Sequence, residues 1–222
     1  MSRKPVIAID GYSSTGKSSI SKVIAATLGL IHLDTGALYR GITLYAITHC
    51  AANGKIDRDC LIQNLNKIRL EFREIDHTLL LFLNGKDVNR EIRTQEVSDQ
   101  VSFVAKQPEV RNFLLQTQRD IASEGGVIMD GRDIGTVVLP DADYKFFLTA
   151  SIEERTRRRF LEMQATGAEP DIESVRTNLL TRDRIDSERA ISPLKQAEDA
   201  ILIDNSDINK EETIEKILSY IR

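Results

Sequence analysis

The stretch VIAIDGYSSTGKSSISKVIAATLGL, residues 6–30, decides the class of fold. Its first five residues form a short apolar run typical of a buried strand, and SSISKVIAATLGL has the spacing of a helix. Between them, GYSSTGKS fits the motif G-x-x-x-x-G-K-[ST] from Gly11 to Ser18. A strand, a glycine-rich turn and a helix in this order predict a loop that binds the phosphates of a nucleoside triphosphate.

The chemistry of phosphate binding explains this spacing. Gly11 and Gly16 permit backbone conformations that a side chain would block, and successive N–H groups can then face phosphate oxygens. The helix that follows adds its positive N-terminal end. We expect Lys17 to reach the β- and γ-phosphates and the Ser18 hydroxyl to bind Mg²⁺. The residues expected to contact the nucleotide are Gly11, Tyr12, Ser13, Ser14, Thr15, Gly16, Lys17, Ser18 and Ser19.

The rest of the chain alternates apolar runs with helical patterns. Strands are predicted at VIAID, IHLD, GVIMD, KFFLTA and AILID. The alternation predicts an α/β fold, a mostly parallel five-stranded sheet with helices on both faces. One segment breaks the rhythm: residues 67–88 alternate apolar and charged side chains and turn at NGK, which predicts an inserted antiparallel hairpin.

Composition excludes several classes of protein. A net charge of −4 argues against a nucleic-acid-binding domain. No run approaches the roughly 20 apolar residues of a membrane span, and the N-terminal apolar run is too short for a signal peptide. We therefore expect a soluble, cytoplasmic protein with no membrane or nucleic-acid partner. Cys50 and Cys60 form no CxxC pattern and are expected to be reduced thiols. The three histidines show no ligand spacing, so no zinc site is expected.

A second set of polar residues points to an anionic acceptor. LDTGALYR places Thr35, Tyr39 and Arg40 after one strand, and MDGRD places Arg132 and Asp133 after another. RDRIDSER spaces Arg182, Asp186 and Arg189 at i, i+4 and i+7, which predicts one helix face. Guanidinium groups bind phosphate bidentately, so four arginines predict an acceptor that is itself a phosphate. The alternatives are an exposed, salt-bridged helix for RDRIDSER and a solvated charged face for Arg157–Arg159.

The phosphate loop alone does not name a reaction, because GTPases, motors, kinases and binding modules share it. The sequence contains no N-K-x-D guanine motif, and 222 residues are few for a motor. A non-catalytic binding module should lack Lys17 or the second set of arginines, and both are present. A kinase for a small acceptor remains the favoured class, with UMP, AMP and shikimate as alternative acceptors.

Taken together, the motifs resemble those of the bacterial cytidylate kinases over nearly the whole chain. The matching stretches are GYSSTGKSS, LDTGALYRGITLYA, EIRTQEVSDQVSFVAKQPEVR, MDGRDIGTVVLPDAD and RDRIDSERAISPLKQAEDAILIDNS. The resemblance implies the reaction of ATP with CMP or dCMP to give ADP and CDP or dCDP, with Mg²⁺. It also implies a core domain (1–34, 125–150 and 190–222), a monophosphate-binding domain (35–124) that carries the hairpin, and a lid (151–189). It further implies a monomer.

The resemblance assigns roles to individual residues of this chain. It implies that Arg40, Arg132 and Arg189 bind the acceptor phosphate, and that Thr35 and Tyr39 lie near the monophosphate. Arg182 and Asp186 match positions near the sugar and the phosphates, and Lys17, Arg132, Arg182 and Arg189 make up the catalytic set. The lid arginines would be Arg155, Arg157, Arg158 and Arg159, of which Arg157 is expected to contact ATP.

Ser102, Arg111 and Asp133 fall where the family reads cytosine, and the chemistry agrees. Cytosine offers an amino donor to the Asp133 carboxylate, and its N3 and O2 accept from Arg111. Uracil would turn a carbonyl oxygen toward the carboxylate, and one mismatched polar contact in a closed site costs roughly 10²-fold. Three positions depart from the family pattern: Tyr12 replaces a proline, Ser14 replaces a glycine, and Ile185 stands where some members have arginine.

Overall fold

The protein is described by a computed structural model over residues 3–75, 78–165 and 167–221. The strands are β1 Val6–Gly11, β2 Ile31–Asp34, β3 Ala51–Ala52, β4 Lys55–Ile56, β5 Leu70–Ile75, β6 Thr78–Leu83, β7 Lys86–Asp87, β8 Val127–Gly131, β9 Tyr144–Thr149 and β10 Ile201–Asp204. The helices are α1 Lys17–Leu28, α2 Thr35–Cys50, α3 Arg58–Asn64, α4 Gln95–Ala105, α5 Pro108–Ala122, α6 Ile152–Ala165, α7 Ile172–Glu188 and α8 Lys210–Leu218. Contacts divide the chain into unit 1, Met1–Leu33 with Ala122–Arg222, and unit 2, Asp34–Ile121.

The five predicted strands form one sheet in the order β10-β9-β1-β8-β2. Strand β1 is central and pairs in parallel with β8 and β9, while β10 pairs in parallel with β9. Every residue of β1 is buried, as its apolar sequence predicts. The predicted α/β fold is confirmed. Because the strands run in the same direction, the loops after β1 and β8 emerge at the same edge of the sheet.

An apolar cluster packs helices α1 and α8 against the sheet in unit 1. Its fully buried side chains include Ile7, Ile9, Ile24, Ile128, Leu148, Ile203 and Ile217. Helix α1 ends at Gly29, whose φ of 62° is the left-handed conformation that terminates helices, as its position in the sequence predicts. This packing fixes the direction of α1 and therefore the phosphate loop that precedes it.

Unit 2 combines helices α2 to α5 with a small antiparallel sheet. Strands β5 and β6 pair in antiparallel register from Leu70↔Leu83 to Ile75↔Thr78, which confirms that the inserted segment is antiparallel. Residues 76–77, which connect these strands in the sequence, lie outside the described residues. The NGK turn instead connects β6 to the short β7, so the sheet has three strands. The unit has its own core, which includes Leu38, Ile42, Leu61, Leu81, Ile92, Val104 and Leu114.

The prediction of reduced thiols is wrong for this structure, because Cys50 and Cys60 are joined in a disulfide. Cys50 is the last residue of α2, and the β3–β4 hairpin then reverses the chain. Asp57 donates its backbone N–H to the Cys50 carbonyl at 2.7 Å and caps α3 by accepting from the Cys60 N–H. These bonds bring the two Cα atoms to 5.5 Å, an ordinary spacing for a disulfide. The two cysteines are ten residues apart because a hairpin, rather than a single helical turn, brings them together; a search for CxxC spacing therefore misses the pair.

No helix within the three described ranges is both long enough and apolar enough to cross a membrane.

Candidate active site

The two motif glycines adopt conformations that other residues would not tolerate. Gly11 has a φ of 147°, and a Cβ atom at this position would lie 2.0 Å from the backbone oxygen of Leu148 on β9. Gly16 has a φ of 86° immediately before α1. The first glycine therefore allows the chain to pass close to β9, and the second turns it into the helix.

Ser14 also lies in the left-handed region, with a φ of 61°. A side chain in this region carries a conformational penalty, which the glycine that the resemblance implies at this position would avoid. We predict that Ser14→Gly stabilises the protein by up to about 1 kcal/mol, because relief of the left-handed strain exceeds the entropic cost of glycine. Urea unfolding would measure this. Ser14→Ala is the matched control and should give no gain, since alanine keeps the Cβ; a gain with alanine would contradict the explanation.

Lys17 lies inside the loop and holds its backbone. Its Nζ donates to the carbonyl of Tyr12 at 2.6 Å, and the Thr15 hydroxyl donates to the same oxygen at 3.0 Å. Burial lowers the pKa of Lys17 well below its usual 10.5, and the nearby Arg132 cation lowers it further. A buried lysine with another cation nearby is a strong site for an anion, because a bound phosphate would offset both effects.

A line of polar contacts runs from Ser18 to His32. The Ser18 hydroxyl donates to Asp130 Oδ2 at 2.6 Å, and His32 Nε2 lies 2.7 Å from Asp130 Oδ1. Hydroxyl and carboxylate oxygens are ligands that Mg²⁺ accepts, usually with substrate phosphates and water completing its shell. The residues present therefore fit Mg²⁺ at Ser18, with Asp130 beside it. Within the described residues, no group of three or more His, Cys, Asp or Glu side chains is arranged for metal binding. The sequence offered no signal for His32.

Asp10 ties the phosphate loop to the segment after β8. Its two carboxylate oxygens accept from the backbone N–H groups of Ile134 and Gly135, each at 2.8 Å. Burial raises the pKa of Asp10 to about 6 even though these bonds lower it. Since the folded protein binds this proton more readily than the unfolded chain does, the contribution of Asp10 to stability falls as the pH rises from about 4 to about 6. The carboxylate thus fixes the backbone immediately after Arg132 and Asp133.

Two of the predicted acceptor arginines, Arg132 and Arg189, approach the carboxylate of Asp186. Arg132 donates through Nε to Asp186 Oδ2 at 2.9 Å and through an Nη to the Ser13 hydroxyl at 2.8 Å. Arg189 lies 4.0 Å from Asp186 Oδ1 and donates to Asp133 Oδ1 at 3.3 Å. The network joins the phosphate loop, the end of β8 and the end of α7.

The predicted helix face of RDRIDSER needs one correction. Helix α7 ends at Glu188, and Arg189 follows it in an extended conformation with φ −62° and ψ 138°. Its guanidinium also donates to the Ser192 carbonyl at 2.6 Å, so leaving the helix is what turns this side chain toward Asp133. Asp183, Asp186 and Arg189 are all buried, which excludes an exposed, salt-bridged surface helix. Arg182 lies partly buried one turn before Asp186.

The arginines of α6 divide into two kinds. Arg157 is 61% exposed and pairs with Glu154, and Arg159 pairs with Glu162 near the surface. Arg155 is buried instead: it pairs with Asp183 and donates to the carbonyls of Ala150 at 3.0 Å and Ser13 at 3.4 Å. Arg158 contacts Asn205. The predicted solvated charged face thus fits Arg157, whereas Arg158 and Arg159 are partly buried.

The remaining predicted residues lie in unit 2. Thr35 begins α2 and is buried, and Arg40 on the same helix donates to the Ser98 hydroxyl at 3.0 Å. The Arg111 guanidinium lies 5.4 Å from the centre of the Tyr39 ring and donates to the Ala105 carbonyl at 3.1 Å. Ser102 is buried on α4. Unit 2 thus places Tyr39 and Arg111 together. The contact of Arg40 with Ser98, one turn before Ser102 on α4, was not predicted from the sequence motifs.

A glycine-rich phosphate loop at the end of a central parallel strand, with a buried lysine and a second arginine set, defines a P-loop kinase fold. The fold is similar to that of shikimate kinase from Bacteroides thetaiotaomicron (TM-score 0.51, 11% identity, 98% of both chains). It is also similar to that of an uncharacterized protein from Eubacterium ventriosum (TM-score 0.54, 13% identity, 99% of this chain and 98% of that one).

The chain belongs to the cytidylate kinase family, whose family model matches residues 7–222. It is 43% identical to a cytidylate kinase of Bacillus cereus over 100% of this chain and 97% of that relative. A cytidylate kinase of Bacillus anthracis shows the same identity and coverage. The predicted resemblance is confirmed, and the chain is a kinase.

Proposed function

We propose that this protein transfers the γ-phosphate of ATP to CMP or dCMP, giving ADP and CDP or dCDP. The observation that carries the proposal is the link between the phosphate loop and the acceptor arginines in a chain of this family. Ser13 of the loop accepts from Arg132, which also contacts the Asp186 carboxylate that Arg189 approaches. A donor loop and an anion-binding network in direct contact suit transfer between two phosphates.

The residues of the chain supply positioning and charge. Lys17 and the loop amides hold the donor phosphates, and bound Mg²⁺ at Ser18 would neutralise charge on the β- and γ-oxygens. Arg132, Arg182 and Arg189 bind the acceptor phosphate and the group in transfer, and we also assign Arg40 to binding of the acceptor phosphate. The acceptor oxygen is already anionic near neutral pH, so no general base is required. Asp186 holds Arg132 through a 2.9 Å hydrogen bond.

Base recognition rests on Asp133, Arg111 and Ser102. Asp133 is buried, and its side-chain oxygens can accept from the cytosine amino group. Arg111 is held in place by the Tyr39 ring and the Ala105 carbonyl. Thr35 and Tyr39 lie near the monophosphate, and Arg157 with its exposed guanidinium contacts ATP. We assign residues 35–124 to monophosphate binding and residues 151–189 to a lid, and we expect a monomer.

We place the activity in the cytoplasm, where its nucleotide substrates are made and used. The Cys50–Cys60 disulfide is unusual for this location, because the cytosol keeps thiols reduced and disulfides are rare in its proteins. The proposed reaction involves neither sulfur atom.

The proposal is tested by measuring ADP release with ATP, Mg²⁺ and each of CMP, dCMP, UMP, AMP, GMP and shikimate. Turnover with CMP and dCMP, and little with the other acceptors, is the expected result. Strong turnover with a different acceptor would overturn the cytosine assignment and leave the kinase fold intact. ATP binding without turnover on any acceptor would indicate a nucleotide-binding module.

We predict that Asp133→Asn lowers kcat/KM for CMP by roughly 10²-fold and lowers it much less for UMP, because an amide can donate to the uracil carbonyl. The ratio of the two constants isolates base reading from any disturbance of Arg189, which would affect both substrates. Asp141→Asn, an exposed aspartate in the same unit, is the charge-matched control and should change neither constant. Equal losses with CMP and UMP would show that Asp133 does not read the base.

A further inference from the structure

Asn205 lies directly after β10, and its side chain reaches the phosphate loop. Its Nδ2 donates to the carbonyl of Thr15 at 2.9 Å, a contact between residues 190 positions apart in the chain. Its own backbone N–H donates to Thr149 at 2.9 Å and so continues the β9–β10 pairing. Asn205 and Thr15 are both buried. This asparagine lies at the end of the last stretch that matches the family, but no role is assigned to it from the sequence.

Arg158 determines which way the Asn205 amide faces. One Nη donates to Asn205 Oδ1 at 3.0 Å and the other to the Asn205 carbonyl at 2.7 Å. Because a guanidinium can only donate, the oxygen of the amide must face Arg158 and its NH₂ group must face Thr15. Arg158 is itself held by Glu154, which accepts from its Nε at 2.8 Å. Hydrogen bonds from Arg157 and Arg158 lower the pKa of Glu154 to about 2, so this anchor stays charged at neutral pH.

The geometry of a peptide unit gives this contact a consequence for phosphate binding. In a trans peptide the C=O group and the following N–H group point in opposite directions. Holding the Thr15 carbonyl toward Asn205 therefore turns the N–H of Gly16 the other way. Lys17 and the Thr15 hydroxyl hold the Tyr12 carbonyl in the same manner and thereby fix the N–H of Ser13. Amides that are fixed before the ligand arrives bind phosphate without a further ordering cost.

We propose that Asn205 is a positioning residue for the phosphate loop, and that Arg158 acts through it rather than on the nucleotide. By holding the Thr15 carbonyl, the pair orients the Gly16 N–H toward the ATP phosphates, although neither residue belongs to the phosphate-loop motif. The inference rests on the proposed function only in taking ATP as the nucleotide, and it does not depend on the acceptor.

The test measures the Kd of ATP by calorimetry in the absence of any acceptor, together with the KM values of ATP and CMP. Asn205→Asp keeps the shape of the side chain but places an acceptor against the Thr15 carbonyl. We expect the Kd and KM of ATP to rise about tenfold or more, with the KM of CMP changing less than about twofold. Asn209→Asp adds the same charge four residues later, at the N-cap of α8, where aspartate caps equally well, and should leave ATP binding unchanged.

Arg158→Met provides a second variant, because the Arg158 side chain is partly exposed whereas Asn205 is buried, so its loss disturbs the fold less. It should raise the Kd of ATP about three- to fivefold. A further variant, Asn205→Leu, removes the amide that Arg158 orients; combining Arg158→Met with it should add little to the effect of Asn205→Leu alone, since Arg158 acts through Asn205. Folded Asn205 and Arg158 variants that bind ATP as tightly as wild type would overturn the inference. So would a lower melting temperature with an unchanged Kd, which would indicate a structural role alone. Wild-type protein that binds no ATP would overturn the proposed function as well, whereas transfer to an acceptor other than CMP would leave this inference standing.

Discussion

Replacing Lys17 with methionine is expected to lower kcat/KM for phosphate transfer by about 10²–10³-fold, while the ligand-free protein stays at least as stable as wild type. The loss follows from the proposed function, in which the Lys17 charge binds the donor phosphates. The unchanged or increased stability follows from the depressed pKa of Lys17, which burial causes in the first place and Arg132 increases. Folding must desolvate this cation near another cation, and methionine has a similar volume without the charge.

The lowered pKa of Lys17 also predicts that nucleotide binding depends on pH. The folded, ligand-free protein holds the Lys17 proton less tightly than the unfolded chain does, so its stability rises with pH across the interval between the two pKa values. Bound phosphates favour the charged form, so the affinity for ATP should fall as the pH rises through the lowered pKa of Lys17, well before the usual 10.5.

Lys22→Met is the matched control, because Lys22 is exposed on the same helix and its loss should change neither activity nor the pH profile of ATP binding. Steady-state kinetics, thermal unfolding and calorimetry between pH 7 and pH 10 supply the three measurements. A Lys17→Met protein that is clearly less stable than wild type would contradict the account of Lys17 as a destabilising, functional cation.

Replacing Arg155 with methionine is expected to destabilise the protein by about 3–5 kcal/mol, because it leaves the Asp183 carboxylate buried without its cation. The side chains of Arg155 and Asp183 are 7% and 11% exposed, and the pair connects α6 to α7. Arg155 also lies 5.1 Å from the centre of the Tyr12 ring, which in turn packs edge-on against Phe147. The Arg155 guanidinium thus contacts two residues of the phosphate loop, the ring of Tyr12 and the carbonyl of Ser13.

The double variant Arg155→Met with Asp183→Leu should recover most of this stability, since it removes both charges and keeps the volume. Urea unfolding followed by circular dichroism would measure each variant. Arg184→Met, at an exposed position next to Asp183, is the control and should change stability little. If Arg155→Met costs no more than this control, or if the double variant is less stable than both single variants, the buried pair does not have the role assigned to it.

Local sequence patterns predicted the parts of the fold that local sequence determines. The apolar runs predicted the five strands of the sheet. Gly29 at the end of α1 and Pro108 at the start of α5 stand where glycine and proline commonly end and begin helices. These signals work because strand burial and helix termination depend on a few neighbouring residues. The disulfide could not be predicted in this way, because the β3–β4 hairpin that brings Cys50 to Cys60 has strands of only two residues each.

The candidate site shows the same division between local and distant information. The motif predicted Lys17 and both glycines of the loop, since their function depends on spacing along the chain. It did not predict His32, Asn205 or the burial of Arg155, because each of these side chains meets its partner only after distant segments pack together. The end of α7 at Glu188 decides the direction of Arg189, and one residue of helix length is beyond what a sequence pattern resolves.

The most direct test of the account follows the γ-phosphate itself. ATP labelled at the γ-position is incubated with the enzyme, Mg²⁺ and an equimolar mixture of CMP and UMP, and the labelled products are separated. The account predicts that the label appears mainly in CDP, that less than about a tenth of it appears in UDP, and that little is released as inorganic phosphate. Equal labelling of CDP and UDP, or release of most of the label as inorganic phosphate, would contradict it.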